Sequence, residues 1–210
     1  MSEHDEGLQA RLVAAGVELV AGRGVEALSL REIARSAGVS HGAPRRYFPT
    51  HLSLLSAIAR EGFADLARRA AAVTGEVTGE VTGGDGKDGG DDGEDPRARV
   101  AALCRVYLDF ARTDAGMFEL MFRHDLLKSG HLGLRETSLP LFGRFVDAVA
   151  RVRPRPGDAP PQVVATALWT NLHGIAQLWG WGSLQLATGT DDVEPLLRTV
   201  LDAHLGRESR

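Results

Sequence analysis

The chain predicts an all-α protein: an N-terminal three-helix domain followed by a larger helical bundle, about nine helices in total. Three observations lead there. Apolar residues recur at spacings of three and four almost throughout, as one buried helix face requires. No segment alternates convincingly at period two, so strands are not expected. A Gly/Asp/Glu/Thr tract at residues 74–95 separates the two helical stretches and is too poor in apolar side chains to join either core.

Each element has its own justification. Leu8, Leu12, Ala15 and Leu19 form the first stripe, and Gly24 is placed to cap its C-terminal end. Ser29-Leu30-Arg31-Glu32 reads as a capping box, with the Ser29 hydroxyl accepting from the Glu32 amide while the Glu32 carboxylate reaches back to the Ser29 amide. That second helix should end near Ala37, because Gly38 can take the left-handed conformation of a sharp turn. Ser40 is the expected cap of a short third helix. Pro44 complicates this helix. It lacks the N–H for the first intrahelical bond and crowds the Ser40 carbonyl, so a late or irregular start is expected. Pro49 and Thr50 close the helix, and Thr50 caps a fourth one with the stripe Leu52, Leu55, Ala59, Phe63 and Leu66. After the tract, Pro96 opens a fifth helix striped by Val100, Leu103, Tyr107 and Phe110. Further stripes lie at Met117/Leu120/Met121, at Phe142/Phe145/Val149, over 163–179, and at Val193/Leu196/Leu197/Val200/Leu201. The expected division is a helix-turn-helix domain at 1–50, a connecting helix at 51–73, a disordered acidic linker at 74–95 and a larger helical domain at 96–210.

Charge sharpens the division. The net −4 comes from nine basic against eight acidic residues in 1–73, one against eight in 74–95, and fourteen against twelve in 96–210. The acidity therefore sits in the tract, which reads as a solvated tether; an acidic segment competing with DNA for a basic face is the alternative. A single Cys104 offers no disulfide partner, and neither a CxxC nor a Cys/His ligand spacing suggests zinc. Residues 1–16 mix charges and hold no signal-like apolar run, so a cytoplasmic location is expected. Residues 159–190 contain no Asp, Glu, Lys or Arg, yet Gln162, Asn171, His173, Gln177 and two opening prolines make a membrane span the poorer reading; a helix buried between subunits fits better.

Residues 29–48 carry the chemistry: a capped helix, a tight turn at Gly38-Val39 and a second short helix, in outline a helix-turn-helix able to enter a major groove about 12 Å wide. Over 31–51 the sequence sets Arg31, Arg35, Arg45 and Arg46 against Glu32 alone, with His41 and His51 nearby. Phosphate contacts supply most of the affinity of such a face. For Arg31 and Arg35 a solvated surface or a pairing with Glu32 or Glu61 competes with that role. Tyr47 can reach a phosphate or pack beside the core residue Phe48.

Leu30-Arg31-Glu32-Ile33-Ala34, Ala37-Gly38-Val39-Ser40 and Arg46-Tyr47-Phe48-Pro49-Thr50 resemble the DNA-binding domain of the tetracycline-repressor (TetR) family of bacterial regulators, over about residues 8–60. The resemblance implies an all-helical homodimer whose larger C-terminal part binds a ligand and dimerises. It sets Ser40, His41, Gly42 and Ala43 at the start of the recognition helix. Arg45 replaces the Tyr or Trp common there, and His51 replaces the Lys that usually opens the fourth helix and meets a phosphate. With Ser29, Arg31, Arg46 and Tyr47 these are the candidate DNA contacts. Trp169-Thr170-Asn171-Leu172-His173-Gly174 also resembles the Trp-x-x-x-His-Gly signature of one C-terminal domain class in the family.

The candidate effector site is lined by Cys104, Tyr107, Met117, Phe118, Met121, Phe122, Trp169 and His173, walls suited to an apolar or aromatic small molecule; simple filling of the bundle is the alternative for each. The expected partners are a double-stranded DNA operator, that effector, and a second copy joined through the last two helices. No cofactor and no membrane contact are expected. An enzyme is disfavoured by the lack of a Gly-rich phosphate loop, a His-Glu-x-x-His pair or a nucleophile elbow. A helical interaction module without DNA binding would leave the Arg-bearing helix-turn-helix unexplained.

Overall fold

A computed structural model describes residues 3–75, 95–129, 133–152 and 159–207; most of the acidic tract lies outside them. The described residues hold no strand. Their helices are α1 Glu3–Arg23, α2 Leu30–Ser36, α3 Pro44–Tyr47, α4 His51–Thr74, α5 Pro96–Thr113, α6 Ala115–Met121, α7 His124–Ser129, α8 Leu134–Arg151, α9 Pro161–Gly180, α10 Ser183–Thr188 and α11 Glu194–Leu205, with a 3-10 turn at Val25–Ala27. This exceeds the expected number by α7 and α10, each six residues long and too short to show a stripe.

The chain forms two compact units, Met1–Asp65 with Thr113–Leu141, and Leu66–Arg112 with Phe142–Arg210. By packing, α6 and α7 group with the N-terminal helices, and two glycines account for the place of α6. A Cβ on Gly116 would stand 2.7 Å from the Val20 carbonyl oxygen, so α6 lies directly on the last turns of α1. A Cβ on Gly62 would stand 2.6 Å from Met121 Sδ and 2.7 Å from Met117 Cγ, so those side chains rest on the backbone of α4. Gly16 likewise lets α1 approach Ile58 of α4.

In the first unit Leu12, Leu19, Val20, Leu28, Ile33, Phe48, Leu54, Leu55 and Ile58 are buried. Full burial of each large side chain contributes about 1.5–3 kcal/mol. α1 ends as expected: Gly24 takes φ +75° and its amide donates to the Val20 carbonyl at 3.0 Å. The α2 terminus is a Schellman motif, with Gly38 at φ +67° donating to Arg35 O and Val39 donating to Ala34 O at 3.0 Å. Arg11 of α1 donates to the Ala37 carbonyl at 2.7 Å and ties this turn down. Thr50 caps α4 reciprocally: its hydroxyl accepts from the Ser53 amide at 3.0 Å and its own amide donates to the Ser53 hydroxyl at 3.2 Å.

The second unit buries Val100, Cys104, Phe110, Leu168, Leu172, Leu197 and Leu201. Arg97, nearly buried, closes one end of it. The guanidinium pairs with Asp202 at 2.5 Å and donates to the carbonyls of Leu201 and Gly206, so the start of α5 is fastened to the end of α11. Arg105 grips Glu194 through two nitrogens at 2.5 and 3.1 Å, fastening the same two helices about two turns further on.

Candidate functional site

Two local sequences shape the candidate DNA interface. Ser29 caps α2 as expected, accepting from the Glu32 amide at 3.2 Å. The reciprocal half of the box does not form. The Ser29 amide donates to Ala27 O at 2.9 Å, and the Glu32 carboxylate instead accepts from Arg23 at 3.0 Å and Arg35 at 2.7 Å. Charge-assisted bonds are the stronger ones, so two guanidiniums outcompete one backbone amide. They hold the Glu32 carboxyl at a pKa of about 2, well below its ordinary 4.5.

The recognition segment starts late, for the reason Pro44 supplies. Ser40 does not cap α3; its carbonyl accepts from the Ala43 amide at 3.0 Å in a preceding turn. Ala43 is the N-cap and Pro44 the first helical residue, where a missing N–H costs nothing. One helical turn remains, closed by the Phe48 amide on Pro44 O at 2.8 Å and anchored by the fully buried Phe48 ring.

Ser29, Arg31, Ser40, His41, Gly42, Arg45 and Arg46 are exposed, Tyr47 is half-buried, and Ala43 is buried and faces the domain interior. Both adjacent arginines reach solvent. Among the described residues, no hydrogen bond or ion pair engages Arg31, Arg45 or Arg46. His51 is exposed at the head of α4, but its Nε2 is bonded to the Leu28 carbonyl, which leaves Nδ1 as the nitrogen open to a further partner. Sequence reasoning passed over Arg23. Glu32 nine residues on was the only signal, and that spacing carries no helical meaning.

The candidate effector residues fall into two groups. Met117, Phe118 and Met121 are buried in the first unit, where Phe122 meets Phe118 at 4.8 Å with the rings tilted by 54° and Phe63 edge-on at 5.8 Å. Cys104, Tyr107, Trp169 and His173 belong to the second unit. There Tyr107 Oη lies 2.8 Å from His173 Nδ1 and accepts a hydrogen bond from the Trp169 side chain. Gln177 Nε2, which can only donate, lies 3.4 Å from His173 Nε2, so that nitrogen accepts and His173 carries its proton on Nδ1, facing Tyr107 Oη. Trp169 also stacks on His173 at 5.6 Å and meets Phe142 at 6.0 Å.

Burial keeps this second group uncharged. It drives the Tyr107 pKa well above its ordinary value, pushes the Cys104 thiol up to about 12, and lowers His173, whose imidazole is thereby neutral near pH 7. An aromatic wall with a neutral donor–acceptor chain suits an uncharged aromatic guest better than an anion. In the same unit a cavity of about 30 Å³ between Leu108, Arg112, Ile175 and Trp179 has room for little more than a water molecule. Among the described residues no cluster of His, Cys, Asp and Glu is disposed to hold a metal ion, and no helix is long and apolar enough to cross a membrane.

Along α9 the residues Val163, Thr166 and Thr170 are exposed on successive turns and Leu178 two turns further on, without a charge among them. α11 packs beside α9, and Asn171 meets His204 at 3.2 Å. Past the end of α9, Trp181 and Leu186 are 70% and 89% exposed.

An exposed, arginine-bearing helix-turn-helix followed by an independent helical unit defines a DNA-binding transcriptional regulator. Residues 12–58 match the family model for bacterial regulatory proteins of the tetR family, and residues 100–204, half of the chain, match the tetracyclin repressor-like C-terminal domain. The chain belongs to the TetR family and is a ligand-responsive transcriptional regulator; the family is one of regulators, not enzymes. Among solved structures it is similar to a protein of unknown function from Rhodococcus sp. RHA1, at 28% identity and TM-score 0.64 over 94% of this chain and 95% of that one. It is also similar to a TetR transcriptional regulator from Streptomyces coelicolor (24% identity, TM-score 0.51, 94% and 98% covered). A third neighbour is RolR in complex with the ligand resorcinol (17% identity, TM-score 0.65, 99% and 92% covered). At such identities the last two speak for the fold alone. No curated relative matches the chain. The Trp-x-x-x-His-Gly segment falls inside the matched C-terminal domain.

Proposed function

We propose that the protein is a cytoplasmic, homodimeric repressor that binds a roughly palindromic operator and is released by a small, uncharged aromatic effector. The observation that carries the DNA half is the set of three exposed arginines, Arg31, Arg45 and Arg46, without an acidic partner among the described residues. Arg45 and Arg46 on α3 are the candidate base and phosphate contacts, supported by Ser29, Arg31, Ser40, His41, Gly42, Tyr47 and His51. Two copies of α3 would enter successive major grooves with centres about 34–36 Å apart. A second copy is supported by the uncharged exposed face of α9 beside α11, since a two-fold interface pairs a surface with itself and buries no unmatched charge there.

The effector half rests on the neutral Trp169–Tyr107–His173 chain beside Phe142; a neighbour of the same fold is solved with resorcinol. An effector that prefers the conformation with the wrong α3 spacing lowers operator affinity by its differential binding energy, about 1–3 kcal/mol for typical coupling. Gel shift with the promoter beside the protein's own gene, at two salt concentrations, tests the reading. Retardation that weakens with salt supports it, and no retardation at either salt overturns it. Light scattering on Val163→Glu reads the interface: the wild type runs as a dimer and the variant as a monomer, whereas a monomeric wild type removes the dimer.

A further inference from the structure

The cluster Arg23–Glu32–Arg35 lies outside the recognition turn. Arg23 Nη1 and Arg35 Nη2 donate to one and the same oxygen, Glu32 Oε2, at 3.0 and 2.7 Å. Both side chains stay largely in solvent, 56% and 63% exposed. A guanidinium has five N–H donors, so a single shared oxygen leaves most of the ten to water and the trio carries one net positive charge. The geometry is that of two guanidiniums converging on an anionic oxygen, and a phosphate offers oxygens of the same kind on a tetrahedral frame.

The cluster also borders the predicted interface. Arg35 and the exposed Arg31 are four apart on α2 and share a side of that helix. The bond from the His51 ring to the Leu28 carbonyl brings the start of α4 to the residue before Ser29, so the starts of α2 and α4 meet at this corner. Exposed ion pairs of this kind contribute little to stability, which leaves their convergence without a structural return of matching size.

We propose that Arg23 and Arg35, held together by Glu32, form a contact site for one backbone phosphate of double-stranded DNA beside the recognition turn. The proposal rests on the DNA-binding reading above. Glu32 is a positioning residue: it orders two long side chains before DNA arrives, so less rotamer entropy is lost on binding. The two guanidiniums hold its carboxyl below the ordinary carboxylate range, so it is ionised at neutral pH. A phosphate contact positions the protein without reading sequence, so the site contributes equally on operator and unrelated DNA.

The test is affinity of the full chain for operator and unrelated duplexes, measured by fluorescence anisotropy across a salt series. Because the two arginines serve one phosphate, Arg23→Ala/Arg35→Ala together should flatten the log–log salt slope by about 0.9, the value for one contact, and weaken both duplexes by the same factor. Arg60→Ala, on exposed surface of α4, removes a charge elsewhere in the unit and should leave the slope as it is. Melting temperature confirms the fold, and an Arg→Gln pair replaces the Ala pair if the latter does not fold. An unchanged slope in the folded double variant, or equal flattening by Arg60→Ala, overturns the cluster while operator binding stands. A wild type that retards no DNA overturns both.

Discussion

The two units solve the same packing problem with opposite surfaces. The first is small, joins its helices through Gly16, Gly62 and Gly116, and presents exposed arginines on a one-turn helix. The second locks its long helices with Arg97–Asp202 and Arg105–Glu194, keeps Tyr107 and His173 neutral inside, and exposes an uncharged face on α9. Charge that faces water is available to a polyanion, whereas charge consumed in interhelical pairs is spent on architecture. A regulator that must hold DNA and answer a small molecule thus sets exposed arginines on the recognition turn of one unit and a neutral Tyr107–His173 pair inside the other.

Removing the free cations breaks the contrast most strongly. Replacing Arg45 and Arg46 together by Ala should cost about 1–3 kcal/mol of operator binding per residue, with the melting temperature unchanged. A gel shift at fixed salt reads it, and undiminished binding would mean that α3 does not meet DNA.

Next in size is the glycine seam. Gly116→Ala puts a methyl 2.7 Å from the Val20 carbonyl oxygen, and backbone cannot swing aside as a flexible side chain can. Unfolding in urea should show a loss of about 1–3 kcal/mol. A neutral result would mean that α6 is free to shift away from α1.

The smallest expected effect sharpens the neutral side of the comparison. Because burial lowers His173, the unfolded chain takes up that proton at a higher pH than the folded one does. The folded form is therefore favoured less as pH falls through about 6.5, the ordinary imidazole value. His173→Gln should show a smaller drop in melting temperature between about pH 7.5 and 5.5 than the wild type does. Equal drops would assign the dependence to another group.

Most local punctuation was legible in the residues. Gly24, Gly38 and Thr50 act as expected, and Pro44 delays α3 as its missing N–H demands. The capping box was legible only by half: whether Glu32 turns to Ser29 or to arginines depends on where the end of α1 lies, and Arg23 is brought there by the fold. The eight candidate effector residues were read as one lining because they share a chemistry. Four of them fall in each unit, an assignment that depends on helix packing and not on any stripe.

Composition and spacing by themselves determined the striped helices, the caps at Gly24, Gly38 and Thr50, the positively charged turn and the family, because each depends on neighbours within about one or two helical turns. Tertiary structure alone decided that α6 sides with the N-terminal helices and that Arg23 and Arg35 share one carboxylate oxygen. The reason is physical: close approach of backbones and convergence of distant charges are properties of how helices dock, and no local pattern encodes the docking distance.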